Sequence, residues 1–184
     1  MNLRQFSIIP LFSALTALGA LIRIPFIPVP VTLQTFFVLM SGIILGSKAG
    51  FYSQMIYLMI GLIGLPVFAG GGGLSYIVKP SFGYLLGFLL APIPAGYVVK
   101  NMGIGPVSVF LAALAGAITI YLIGLPYLIF NMIYVLHQPN AIGIALKAGL
   151  IVFLPGDLLK CVIMAFLIPK VYRPDTRQTT PGQS

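Results

Sequence analysis

From Val107 to Tyr134 the chain carries no charged side chain. A helix of that length, at 1.5 Å per residue, is longer than the roughly 30 Å hydrocarbon core of a bilayer. The segment must therefore tilt, or kink at Gly124 and Pro126. Comparable apolar runs, cut by Gly, Pro and isolated charges, recur along the chain. They predict six membrane helices: Leu3–Ile24, Thr32–Leu45, Ala49–Leu65, Ser81–Val99, Val107–Tyr134 and Ala141–Ile168. Soluble domains carry roughly a quarter charged residues. Here the share is 7%, against 59% hydrophobic, which excludes a water-facing surface. The expected fold is an all-α integral membrane protein, one six-helix domain over residues 1–172 followed by a polar tail at 173–184.

The first apolar stretch resembles a signal peptide in having Arg4 ahead of it. It runs on into Arg23 and a Pro-rich loop without a small-residue cleavage site, so it reads as a retained helix. The net charge of +8 does not imply nucleic acid, because the ten Lys and Arg residues are scattered singly. They suit topology and contact with anionic membrane lipid. With six helices, Arg4, Lys48, Lys100, Lys170, Arg173 and Arg177 fall on one side and Arg23 and Lys79 on the other. The positive-inside rule then predicts both termini in the cytoplasm. The Pro25–Val31 loop, the Pro66–Pro80 loop and the His137 loop face outside and are candidates for one external lid. Four consecutive glycines, Gly70 to Gly73, make the middle loop irregular. No strand precedes them and no Gly-Lys-Ser/Thr follows, so a phosphate cradle is not indicated. A close-approach cover over a ligand and an ordinary connection are the two readings.

The otherwise apolar run from Gly149 to Ile168 holds Asp157, one of only two acidic residues in the chain, with Lys160 three positions on. That spacing puts acid and base on one helical face. Charges at membrane depth are costly and mark pathways or binding sites more often than structure. Three roles are open to the pair: an interhelical lock, a proton relay in an ion-coupled carrier working through Asp157, or a pocket for a polar ligand. A pocket with these groups suits amide-type N–H donors and a carbonyl or acidic group. One His and two Asp supply no catalytic set and no metal cluster, so an enzyme is not expected. No cofactor is expected either. Gln34, Gln54 and Asn131 interrupt apolar runs and can bond between helices or to a ligand. Cys161, the single cysteine, reads as a small buried apolar residue. On the first helix, Ser13 with Ala17 and Thr16 with Ala20 form small-residue faces. They fit internal packing and docking of another subunit equally. The chain holds no ATP-binding motif, so active transport would need an ion gradient or a separate ATPase.

Four motifs in order resemble the BioY family, the biotin-specific substrate-binding (S) components of energy-coupling-factor (ECF) transporters. They are Pro30-Val31-Thr32-Leu33-Gln34-Thr35, Gly64-Leu65-Pro66-Val67-Phe68-Ala69-Gly70-Gly71-Gly72-Gly73, Lys79-Pro80-Ser81-Phe82-Gly83-Tyr84-Leu85-Leu86-Gly87-Phe88, and Pro155-Gly156-Asp157-Leu158-Leu159-Lys160. Ser81 and Phe82 depart from the family's Pro-Thr-Gly-Gly-Tyr. The resemblance implies a membrane protein that binds biotin from outside and works with a transmembrane coupling subunit and cytosolic ATPases. It implies that Asp157 and Lys160 recognise biotin, and that Thr32, Gln34, Gly71, Gly72, Gly73 and Tyr84 complete the pocket. Ser13, Ala17, Thr16 and Ala20 would then form the coupling-subunit face.

Overall fold

The computed structural model describes residues 3–172. Six helices carry the fold: α1 Leu3–Leu21, α2 Gln34–Leu45, α3 Ser47–Ile63, α4 Phe82–Met102, α5 Pro106–Tyr134 and α6 Ala141–Val171. Among the described residues, α4, α5 and α6 are each long and apolar enough to cross a membrane, while α2 is a shorter apolar helix. At 12 residues α2 is about 18 Å long, little more than half the hydrocarbon core. The chain is a multi-pass membrane protein of the expected all-helical class. Arg173, Arg177 and the tail 173–184 lie outside the described residues.

Helix ends follow the punctuation. Gly46, at φ 83°, turns α2 directly into α3, and Gly64, at φ 122°, ends α3. The left-handed region costs glycine nothing sterically. α4 breaks at Ala91, where Pro92 cannot donate to the carbonyl of Phe88. α6 contains a π-turn over Lys147–Ile151 and regains α geometry at Leu154. That irregularity lies just ahead of Asp157.

The core runs through the bundle from Val38, Leu39 and Ile43 on α2 to Leu85 and Phe88 on α4, and on to Ile120 and Leu128 on α5. Large apolar side chains such as Leu122, Ile63 and Phe166 remain exposed, as a hydrocarbon surround permits. Small residues set helix spacing: a Cβ on Gly87 would stand 2.8 Å from the Cα of Ile120.

Three connections gather at one end of the bundle. The first is a hairpin rather than a simple extended loop, with Arg23–Ile24 pairing antiparallel to Val31–Thr32. The amide of Leu33 ties it to the carbonyls of Gly19 and Ile22 on the end of α1. The second, residues 64–81, includes a short 3₁₀ helix at Leu74–Val78 where the sequence suggests only irregular chain. The third is the short 135–140 turn.

Candidate functional site

Asp157 is buried, 6% exposed, and its carboxylate is held from three elements. Lys160, one turn along α6, donates to Oδ1 at 2.8 Å. Thr35 on α2 donates to the same oxygen at 3.0 Å, and Tyr121 on α5 donates to Oδ2. Lys160 also donates to the carbonyl oxygen of Thr32 at 2.7 Å and to Thr35 Oγ1 at 2.7 Å. An ammonium has three N–H donors, and all three are occupied by the protein. A carboxylate has about four acceptor positions, and three are taken. The remaining one, on Oδ2, is free for a donor from outside the network. Lys160 thus fixes the carboxylate, and Asp157 is the group with capacity to spare.

Asp157 and Lys160 line a cavity between the helices and the loops. Gln34, Thr35, Tyr84, Tyr121 and Phe153 line it from the helices, and Val29, Pro30, Thr32, Ala69, Tyr76 and Ser81 from the loops. Its walls are largely apolar, with polar groups at a few points, the usual make-up of a small-molecule site. Gln34 is oriented by its neighbours: Thr32 Oγ1 donates to Gln34 Oε1 at 3.1 Å, and Gln34 Nε2 donates to the hydroxyl of Tyr57. Tyr57 in turn donates to the carbonyl of Val67 at 3.2 Å, linking the site to the 64–81 loop.

Tyr84 forms an aromatic wall. Its ring stacks on Phe153 at 6.1 Å between centroids and meets Tyr121 edge-on at 6.4 Å. Its hydroxyl donates to the carbonyl of Gly149 at 2.8 Å, an acceptor within the π-turn of α6. Two glycines make room for the ring. A Cβ on Gly124 would lie 2.6 Å from Tyr84 Cδ1, and one on Gly149 would lie 2.6 Å from its hydroxyl.

The 64–81 loop borders the cavity and is fastened from two sides. Phe68 plugs into the end of α3, where a side chain at Gly61 would collide with its ring at 2.0 Å. Gly73 N–H donates to the carbonyl of Gly61 at 2.7 Å, and Lys79 Nζ donates to the carbonyl of Gly70 at 2.7 Å. From α5, Tyr127 donates to the carbonyl of Ile77 and Asn131 Nδ2 to that of Val78 at 2.7 Å. Ala69, Tyr76 and Ser81 are this loop's lining residues.

The sequence-predicted residues divide accordingly. Thr32, Gln34, Tyr84, Asp157 and Lys160 converge on the cavity. Gly71, Gly72 and Gly73 stand outside its lining and shape the loop instead. A Cβ on Gly72 would sit 2.1 Å from the carbonyl oxygen of Leu65, and Gly71 and Gly73 have φ of 116° and 94°. On α1, Ser13, Thr16 and Ala20 are buried within the chain's own bundle. Ser13 Oγ donates to the carbonyl of Ser53 on α3 at 2.6 Å, and Thr16 Oγ1 accepts from Gln54 Nε2 at 3.3 Å. Ala17 is half-buried and lines a groove between α1 and α3. Thr35, Tyr121, Tyr76 and Phe153 belong to the site without a signal in the sequence that singles them out.

The family model for the BioY family matches residues 1–176. A probable biotin transporter BioY of Lysinibacillus sphaericus is 39% identical over 90% of this chain and 85% of its own length. One from Pyrococcus horikoshii is 36% identical over 93% of this chain and 98% of its own. A crystal structure of the S-component for biotin from an ECF-type ABC transporter superposes with a TM-score of 0.76 at 28% identity, covering 92% of this chain and 93% of that one. With four helices and two loops converging on one cavity, and a match along almost its whole length, this chain belongs to the BioY family.

Proposed function

We propose that this chain is the biotin-binding S component of an ECF-type transporter, taking biotin from outside the cell and passing it inward with a transmembrane coupling subunit and cytosolic ATPases. The observation that carries the reading is the Asp157 carboxylate, held by Lys160, Thr35 and Tyr121, with one acceptor position open in an aromatic-walled cavity. Biotin's ureido ring offers two N–H donors and a carbonyl, and a charged acceptor strengthens such a hydrogen bond. Asp157 accepts from a ureido N–H. Tyr84, Tyr76 and Phe153 enclose the fused rings, while the second N–H of the Gln34 amide is free to donate. The 64–81 loop closes over the ligand, with Gly71, Gly72 and Gly73 giving it the backbone shape that Ala69 and Tyr76 need. Both termini face the cytoplasm, so the cavity mouth faces outside. The coupling subunit docks along α1, where Ala17 borders a groove left open beside the internally packed Ser13, Thr16 and Ala20.

The test is equilibrium binding of biotin to the purified protein in detergent, beside Asp157→Asn and a competitor lacking the ureido group. The reading predicts tight one-to-one binding, strong weakening by the substitution and no competition by the ureido-free acid. A folded protein that ignores biotin overturns it.

A further inference from the structure

A second cavity lies on the opposite side of Asp157 and Tyr121, between α5 and α6 on the membrane-facing surface. Both residues line it as well as the first cavity, so they form a wall between the two. Apart from them and Cys161 its lining is aliphatic, with Leu114, Leu122 and Leu125 on α5 facing Leu150 and Leu154 on α6. Leu122 is 70% exposed, so the groove opens sideways to hydrocarbon. From Leu114 to Leu125, as from Leu150 to Cys161, the groove is about 16 Å long at 1.5 Å per residue. That is half the roughly 30 Å core, the depth of one leaflet. One turn beyond Leu150, toward the 135–140 turn, stands Lys147, exposed on a helix that is otherwise apolar there. A lysine at that level extends its ammonium to the headgroup layer.

We infer that the α5–α6 groove is a binding site for one anionic phospholipid, with an acyl chain along the groove and the phosphate at Lys147. Length, lining and the single cation at one end match that molecule. A neutral solute would not need the lysine, and a free phosphate would not need the groove. An acyl chain seated there backs the wall formed by Tyr121 and Asp157 and keeps water from the far side of the carboxylate.

The chain contains no Trp, so one introduced at exposed Leu122 is the only such fluorophore. Leu122→Trp protein is placed in phosphatidylcholine bilayers with a small fraction of lipid brominated on its acyl chains. Brominated phosphatidylglycerol should quench at about fivefold lower mole fraction than brominated phosphatidylcholine, the effect of one lysine at an anionic surface. Lys147→Gln should remove the preference and Lys147→Arg should keep it. A control at Ile63→Trp, 80% exposed on α3, should quench equally with both lipids. Equal quenching at Leu122→Trp, or a preference that survives Lys147→Gln, overturns the site. The same preference at Ile63→Trp also overturns it, since the +8 chain would then be attracting anionic lipid without a site.

Discussion

The ammonium of Lys160 reaches 2.7 Å from the carbonyl oxygen of Thr32, across 128 positions of sequence. Through that contact α6 is pinned to the hairpin strand just ahead of α2, and the carboxylate beside it is held where the cavity can use it. Breaking a buried ion pair by removing one partner typically costs about 3–5 kcal/mol, because the other charge is stranded. Lys160→Met should therefore lower the melting temperature in detergent markedly, as should Asp157→Leu. The double substitution should recover much of that loss, because no charge is left alone, but should not restore biotin binding. Thermal unfolding of the three variants beside the parent tests this. Additive losses would mean that the two residues do not act as a pair.

Tyr121 separates the contribution of one hydrogen bond from that of packing. Tyr121→Phe keeps the ring that meets Tyr84 and deletes only the donor to Asp157 Oδ2. Hydrogen bonds to charged groups contribute about 1.5–3 kcal/mol, so biotin affinity should fall by roughly ten- to a hundredfold. Isothermal titration of the variant measures it. Unchanged affinity would show that the carboxylate needs no help from α5.

The space around Tyr84 is the next point of control. Gly149→Ala places a methyl 2.6 Å from the Tyr84 hydroxyl and 2.5 Å from Leu128 Cδ2, so the side chain of Tyr84, which lines the cavity, must shift. Overpacking of this kind costs about 1–3 kcal/mol. Biotin binding should weaken by at least tenfold in Gly149→Ala, whereas Tyr84→Phe, which keeps the ring and loses one bond to Gly149, should bind within a few-fold of the parent. Side-by-side affinities of the two variants decide it. Stronger damage from Tyr84→Phe would give the hydroxyl a direct part in recognition.

The spans were legible in the sequence because they rest on a local property, the length of an apolar run, and the ends of α5 and α6 follow from it within a few residues. Asp157 and Lys160 were legible for the opposite reason: two charges in a run where charge is expensive stand out alone. Thr35 and Tyr121 were not. Their partner Asp157 is 122 and 36 positions away, and a threonine or tyrosine among apolar residues has no spacing that betrays it. The small faces of α1 fit two partners equally by composition. Only the packed bundle shows Ser13 and Thr16 turned to Ser53 and Gln54. The glycine run signals close approach, but not that the nearest backbone is Leu65 rather than a ligand.

As the cover proposed for the site, the 64–81 loop would have to open to admit a ligand, and its fastenings differ in kind. Phe68 and the Gly73–Gly61 bond tie it to α3, whereas Asn131 and Tyr127 tie its far side, Ile77 and Val78, to α5. Neither α5 residue lines the cavity. Removing either should therefore act on the rate of opening more than on contacts with bound ligand. Asn131→Leu, which deletes the donor to Val78, should raise the dissociation rate of biotin by about tenfold for the loss of roughly one buried hydrogen bond. Because the open state is also favoured before binding, association should be no slower than in the parent. Stopped-flow association and a chase with unlabelled biotin give the two rates separately. If association slows while dissociation stays the same, the α5 contacts shape the entrance rather than restrain the cover.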